Sequence, residues 1–158
     1  MEASEFKNVI FDYTRKINES LNSAFNPVIE NRGLTMMQTR ILMELYRSES
    51  HTIGSLADSI CAAGANISAM CKKLEGQGFI ERIRNRKDER VVRVVLTRLG
   101  KETVWEINGL FNEIITEYLK DEPEETFEEI ILGLKKLNEL LTRINSLKQG
   151  EDKNERTE

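Results

Sequence analysis

The chain is poor in the residue types that build disulfide frameworks and metal sites. Its 158 residues include two cysteines and one histidine, and neither CxxC nor HExxH spacing occurs. These features argue against a structural zinc site or any other metal centre. Nucleophile motifs and phosphate-binding glycine loops are also missing, so the sequence does not predict an enzyme, and we expect no cofactor.

Long apolar runs are missing as well. No stretch approaches ~18 consecutive apolar residues, and Met1–Ser4 leads directly into amphipathic sequence without an apolar signal core. We therefore expect no membrane contact, a cytoplasmic location, and free thiols at Cys61 and Cys71. The composition, 39% hydrophobic and 32% charged, is typical of a soluble protein rich in amphipathic helices.

Charge is unevenly distributed along the chain. The net charge of the whole is −4, whereas residues 64–101 hold ten Lys or Arg against four Asp or Glu, a local net charge of +6. The segments before and after it carry −2 and −8. A basic segment in an acidic chain is typical of contact with a polyanion such as nucleic acid. A solvated charged surface is the alternative interpretation.

The N-terminal part predicts three helices. Apolar residues repeat at steps of three and four over 6–28, and Gly33 can end this first helix. Thr35 begins a T-x-x-Q capping box for the second helix. Residues 48–50 predict a turn, after which Thr52 can cap a short third helix.

A fourth helix and a hairpin are predicted next. Ile67, Cys71 and Leu74 lie on one face of the fourth helix, which directs that face into a core. Two β-branched runs, 79–84 and 91–96, flank a polar segment, which is a hairpin signal. This order of elements is that of a winged helix-turn-helix.

Two long helical patterns complete the chain. One begins after Thr97; the other follows Pro123 and repeats apolar residues at steps of three and four as far as Ile144. Such a stripe suits a helix packed along another helix, although docking on its own domain would produce the same pattern. Residues 148–158 are polar and aperiodic and are predicted to be disordered. The predicted fold class is mostly α with a small β-hairpin wing.

With these elements in order, the sequence resembles the MarR family of transcription factors. The family pattern runs LA, then L-E-x-x-G-[LF]-[IV]-x-R, then D-x-R and L-T-x-x-G. The matching residues are Leu56-Ala57, Leu74-Glu75, Gly78-Phe79-Ile80, Arg82, Asp88, Arg90, Leu96-Thr97 and Gly100.

The resemblance implies an architecture and a function. A winged helix-turn-helix module over 34–97 would be framed by dimerisation helices over 5–33 and 98–147. The homodimer would bind a pseudo-palindromic operator in double-stranded DNA. Its expected role is transcriptional regulation, as a repressor relieved by a small-molecule effector.

The resemblance also implies which residues contact DNA. Arg90, braced by Asp88, is expected to reach the minor groove, because a guanidinium fork suits a narrow electronegative channel. A local Asp–Arg pair that only shapes the hairpin is the alternative. Asn66 is a candidate for bidentate contact with adenine, for phosphate contact or for a local cap. Arg82 is equally consistent with a structural and a DNA-binding role. The other DNA-binding candidates are Ala65, Ser68, Ala69, Lys72, Lys73, Arg84, Arg86 and Lys87.

Three positions depart from the family pattern. Gly76 adds flexibility near the end of the recognition helix. Ala63 stands where Ser or Thr often caps the recognition helix, so that helix is expected to begin without a side-chain acceptor. Ala69 stands where a long polar or basic side chain is common, which shifts the expected readout toward the wing and DNA shape.

An effector site and two alternative functions remain open at this point. Tyr13, Arg15, Met37 and Tyr46 are candidate effector-binding residues by position, with ordinary packing or surface exposure as the alternative. One alternative function is a winged-helix module that contacts proteins without specific DNA binding. The other is a thiol-based redox-responsive regulator. Against the latter, Cys71 is expected in the core, and only Cys61, near the turn, is expected to be partly exposed.

Overall fold

The computed structural model describes residues 2–84 and 92–154, and the side chains at 84, 145 and 147–154 lie outside this description. Within these ranges it contains six helices and three strands. The helices are α1 (Ala3–Glu30), α2 (Met36–Ser48), α3 (Ile53–Ser59), α4 (Gly64–Gly76), α5 (Arg98–Leu119) and α6 (Glu124–Asn154). The strands are β1 (Ser50–Thr52), β2 (Ile80–Arg84) and β3 (Val92–Leu96). The predicted fold class is confirmed.

Helix α1 is followed by a turn at Gly33, as predicted. Gly33 has φ +65°, and the N–H groups of Gly33 and Leu34 donate to the carbonyls of Glu30 and Ile29 at 2.9 and 3.4 Å. This is a Schellman arrangement, in which a left-handed residue turns the chain back over the last helical turn. Leu34 and Ile29 are both buried in the core cluster, so apolar burial stabilises the turn.

Both predicted helix caps are present. Thr35 Oγ1 accepts a hydrogen bond from the Gln38 N–H at 3.3 Å, and Gln38 Oε1 accepts one from the Thr35 N–H at 2.9 Å. Thr52 and Ser55 make the same reciprocal pair at the start of α3, at 3.0 and 3.1 Å. Each pair satisfies two backbone donors that the helix itself cannot satisfy.

The wing belongs to a three-stranded antiparallel sheet in the order β1-β3-β2. Ile80 of β2 pairs with Leu96 of β3, and Ser50 of β1 pairs with Val95 on the other side of β3. The sequence predicted a turn over 48–50 and a hairpin alone, which is wrong at Ser50. With three residues, β1 is too short to show an alternating pattern, and it is defined by its pairing with β3.

The start of α5 packs against the start of β2. Thr97 Oγ1 donates a hydrogen bond to the Gly78 carbonyl at 2.7 Å and accepts one from the Gly100 N–H at 3.0 Å. The Thr97 N–H donates to the Phe79 carbonyl at 3.1 Å. A β-carbon at Gly100 would overlap that same Phe79 carbonyl. Thr97 and Gly100 therefore join α5 to the connection between α4 and β2.

One hydrophobic core unites the elements of the first compact unit, Met1–Ile114. The ring centroids of Phe25 in α1 and Phe111 in α5 lie 4.2 Å apart at its margin. The largest fully buried apolar side chains are Ile29, Ile41, Leu42, Leu45, Leu56, Ile67, Leu74, Ile80, Val94, Val104 and Ile107. Since these come from all helices of the unit and from β2 and β3, the core holds α4 and the sheet in one module.

The second unit, Ile115–Glu158, contains the last residues of α5 and the whole of α6. Helix α6 follows Pro123, as predicted, and its apolar stripe is exposed, with Leu134 at 55%, Leu141 at 41% and Ile144 at 45%. The helix continues to Asn154 rather than becoming disordered at residue 148; residues 155–158 lie outside the described residues. Lys, Gln and Glu in this stretch are good helix formers, and extending a helix needs no new nucleus.

The close contact between Gly100 and the Phe79 carbonyl leads to a prediction about stability. Gly100→Ala is expected to lower the free energy of unfolding by roughly 2 kcal/mol, because a methyl group pressed against a backbone carbonyl cannot be relieved by side-chain rotation. Gly109→Ala on the same helix is the matched control. Nothing lies within 4 Å of its added β-carbon, so this variant should gain about 0.5–1 kcal/mol from helix propensity. Urea unfolding followed by circular dichroism compares the two, and equal stabilities would contradict the packing role.

Candidate nucleic-acid interface

Helix α4 has a buried face and an exposed face. Ile67, Cys71 and Leu74 are fully buried, as the periodicity predicted. The exposed residues on the opposite side are Ala65, Asn66, Ala69, Lys72, Lys73 and Gly76. We call these six residues the outward face of α4. Ser68 lies half-buried beside them. All the predicted DNA-binding residues of α4 are thus accessible at least in part.

The chain enters α4 through a left-handed turn at Cys61. Cys61 has φ +53°, and the Ala62 N–H donates to the Ala57 carbonyl at 2.9 Å, which repeats the arrangement at Gly33 on a residue with a β-carbon. Ala63 then precedes α4 with no side-chain hydrogen bond to the helix. The predicted absence of a side-chain cap at Ala63 is confirmed.

An ion pair connects the end of α4 to the wing strand. Arg82 Nε and Nη2 approach Glu75 Oε2 at 2.7 and 2.5 Å. This hydrogen bond holds the pKa of Glu75 below its ordinary value, chiefly through Arg82, and raises the pKa of Arg82. Both side chains are about one third exposed, at 31% for Arg82 and 35% for Glu75. The guanidinium is therefore engaged within the protein.

The tip of the wing lies outside the described residues. Arg86, Lys87, Asp88 and Arg90 fall there, so their predicted contacts with DNA stay predictions. Arg84 is the last residue of β2, where it pairs with Val92 of β3. The backbone of Arg84 thus marks where the basic tip begins.

The two thiols differ sharply in environment. Cys71 is fully buried, and burial raises the pKa of its thiol to about 11, against a smaller opposing effect of Arg82. Cys61 is exposed. Both thiols are free. The expectation of a core Cys71 and an accessible Cys61 is confirmed.

The candidate effector residues lie in different surroundings. A cavity of about 590 Å³ between α2, the sheet and α5 is lined by Leu45, Tyr46, Glu49, Ser50, Val95, Leu96 and Lys101. Of the four candidates only Tyr46 lines it. Tyr13 is exposed on α1, Arg15 bonds to Asp12 and Glu19 on the same helix, and Met37 packs against the core. The effector assignment stays a prediction.

Residues 2–84 and 92–154 offer neither a metal-binding cluster nor a membrane-spanning helix. No three His, Cys, Asp or Glu side chains gather there in a way that could hold a metal ion. None of the described helices is long and apolar enough to cross a membrane.

Comparison with known proteins identifies the module. Residues 34–92 match the family model described as the MarR family. The crystal structure of the transcriptional regulator BldR from Sulfolobus solfataricus superposes with a TM-score of 0.70 at 28% identity, covering 90% of this chain and 99% of that one. Residues 34–92 are therefore similar to the winged-helix module of the MarR family.

Two further comparisons span most of the chain. The HTH-type transcriptional repressor YetL from Bacillus subtilis (strain 168) is 27% identical over 144 residues, which is 88% of this chain and 80% of that protein. A mutant MarR from E. coli, complexed with operator DNA, shares the fold with a TM-score of 0.74 at 19% identity, over 87% of this chain and 99% of that one. BldR and YetL are named as a transcriptional regulator and a transcriptional repressor, respectively.

Sequence reasoning missed the partner of Arg82. The family pattern L-E-x-x-G-[LF]-[IV]-x-R contains both Glu75 and Arg82. The pattern does not specify that they pair, because their pairing depends on how sharply the chain turns at Gly78. The opposite charges seven residues apart were the available signal.

Thiol chemistry gives a prediction for this region. Ellman's reagent at pH 8 should titrate Cys61 alone in the native protein and both thiols after denaturation, because a thiol whose pKa is raised supplies little thiolate. The folded pKa of Cys71, about 11, exceeds the ordinary value of 9.0. Its contribution to stability is therefore complete below pH 9 and is lost as the pH rises toward 11. Cys71→Ala should remove that alkaline decline, and fast reaction of both native thiols would contradict the assignment.

Proposed function

We propose that this chain is a transcriptional regulator of the MarR family, which binds a pseudo-palindromic DNA operator as a homodimer, with α4 in the major groove. The observation that carries the proposal is the outward face of α4. Lys72 and Lys73 are exposed there and make no ion pair with any residue that the structure describes. Uncompensated lysines on a helix of this kind suit contact with phosphates.

The residues of the interface have different roles in this proposal. Asn66 on the first turn of the outward face reads a base edge, and its amide suits bidentate pairing with adenine. Ala65 and Ala69 allow close approach to the groove, and Ser68, Lys72 and Lys73 meet the backbone. In the wing, Arg84, Arg86 and Lys87 meet phosphates, and Arg90, braced by Asp88, enters the minor groove.

A homodimer is proposed because apolar helix faces are exposed in each unit. On α1, the exposed residues Phe6, Tyr13, Ile17 and Leu21 recur at helical spacing. On α6, the exposed residues Ile130, Leu134, Leu141 and Ile144 do the same. Apolar stripes of this length favour burial against a second copy. Residues 5–33 and 98–147 are proposed to form this interface.

Repression, effector release and location extend the proposal. YetL is named a repressor, and the crystal structure of NadR in complex with 4-hydroxyphenylacetate superposes on this chain with a TM-score of 0.68. We expect this regulator to repress and to be released by a small molecule, in the cytoplasm, where it meets its operator. A protein-interaction module and a thiol-based redox-responsive regulator are the alternatives; the second has only the exposed Cys61 to support it.

The experiment that tests the proposal starts from a randomised duplex library. Duplexes retained by the full chain over several rounds should converge on a two-fold symmetric site with half-sites about one helical turn apart. Binding should weaken linearly with the logarithm of salt concentration. Failure to enrich any sequence, together with salt-independent retention, would favour the protein-interaction alternative.

Two substitutions on α4 separate reading from positioning. Asn66→Ala is expected to weaken binding to the selected duplex by roughly 1–3 kcal/mol and to leave binding to random duplex nearly unchanged, because a base contact is lost. Lys73→Ala should weaken both and reduce the salt slope by about one. Fluorescence anisotropy at graded salt measures both quantities. Equal losses on the two DNAs for Asn66→Ala would assign that residue to the backbone.

One substitution on α1 tests the homodimer. Ile17 is 49% exposed, so Ile17→Glu should leave the subunit folded, whereas a carboxylate in an apolar interface should dissociate the dimer. Asn8→Glu adds the same charge on the opposite face of α1 and serves as the control. Sedimentation equilibrium should report a dimer for the parent and the control, and a monomer for Ile17→Glu. A dimer that survives Ile17→Glu would exclude this face of α1.

A further inference from the structure

The connection between α4 and the wing strand is short and is held by backbone hydrogen bonds. Only Gln77, Gly78 and Phe79 lie between α4 and β2, and Gly78 has φ +81°, which glycine adopts readily. The N–H groups of Gly78 and Phe79 donate to the Glu75 and Leu74 carbonyls, each at 3.0 Å. Beyond Phe79, β2 is tied to α4 through side chains.

The Glu75–Arg82 pair bridges this connection from one side to the other. Glu75 lies in the last turn of α4, and Arg82 is the central residue of β2, opposite Val94 of β3. Two nitrogens of one guanidinium converge on one carboxylate oxygen, at 2.7 and 2.5 Å. The charge-assisted hydrogen bond from Nε, together with the ion-pair contact of Nη2, constrains the orientation of the guanidinium as well as its distance from Glu75.

We infer that Arg82 is a positioning residue, which locks β2 to α4 through Glu75 so that the recognition helix and the wing meet DNA as one rigid unit. This inference rests on the proposed function. In this inference Arg82 contacts Glu75 and not DNA. Phosphate contact is left to Lys72, Lys73 and the basic residues of the wing tip. An effector that releases DNA would then move the whole module and not bend the wing against the helix.

The competing role for Arg82 is phosphate contact, and the geometry disfavours it. The charge of the Arg82 guanidinium is already compensated by the Glu75 carboxylate. If the guanidinium moved to a phosphate, the Glu75 carboxylate would be left unpaired beside the DNA polyanion. Free arginines for phosphate binding gain affinity by releasing counterions, which a paired arginine does not do to the same degree. The two roles make opposite predictions for Glu75.

The test compares Glu75→Gln, Arg82→Ala and Arg82→Lys with the parent, on the duplex that the parent selects. For a positioning pair, Glu75→Gln should weaken specific binding about tenfold although it removes a negative charge, and Arg82→Ala should do the same with an unchanged salt slope. The double variant Glu75→Gln/Arg82→Ala should lose no more affinity for the selected duplex than either single variant. Arg82→Lys should recover part of the loss, because an ammonium keeps the charge but not the fork.

Arg47→Ala is the matched control. It breaks another arginine–carboxylate pair, in which Arg47 Nη2 contacts both oxygens of Glu44 at 2.8 and 2.9 Å, within α2. This variant should bind the selected duplex like the parent. Unchanged or tighter binding by Glu75→Gln, or a salt slope lowered by about one in Arg82→Ala, would overturn the inference and make Arg82 a phosphate contact.

A measurement without DNA separates this inference from the proposed function. Amide hydrogen exchange over residues 80–83 should be about threefold faster or more in Glu75→Gln than in the parent or Arg47→Ala, since β2 loses its tie to α4. If the parent enriches no duplex, the proposed function fails while faster exchange still supports the lock. Exchange rates equal to the parent's would overturn the lock whatever the DNA result.

Discussion

The surface that we propose for DNA depends on one contact, between residues 78–79 and residues 97–100. Thr97 bonds to the Gly78 and Phe79 carbonyls, and Gly100 lies against the Phe79 carbonyl with no room for a β-carbon. This contact fixes where α5 leaves the sheet and where β2 begins. Helix α4 ends only three residues before β2, and the Glu75–Arg82 pair then ties the strand to the helix.

Burial and charge are separated on α4 with little compromise. The inner face places Ile67, Cys71 and Leu74 in the core without polar atoms that need partners. The outward face carries Lys72 and Lys73, whose charges remain hydrated until a polyanion displaces counterions. The only acidic side chain of α4, Glu75, is paired with Arg82. The net positive charge of residues 64–101 thus includes exposed lysines on the outward face of α4, while the rest of the chain has a net negative charge.

The sequence predicted most of the fold because its signals are local. The capping residues Thr35 and Thr52, the turn at Gly33 and the helical periodicities each depend on neighbours within one or two turns. The sequence-based prediction was wrong at two places that the apolar pattern does not specify. Strand β1 exists through its pairing with β3, and α6 extends to Asn154 by propagation through a stretch whose apolar pattern has already ended.

The sequence by itself determined the module, its winged-helix order and the exposed candidates on α4, because period and motif specify which side of a helix is apolar. Only the tertiary structure decided that Arg82 pairs with Glu75. It also decided that Tyr46 lines the cavity of about 590 Å³, whereas Tyr13 and Arg15 do not. It also decided that a glycine is required at position 100. These depend on distances between elements far apart in sequence, which are set by packing of the shared core and not by any local preference.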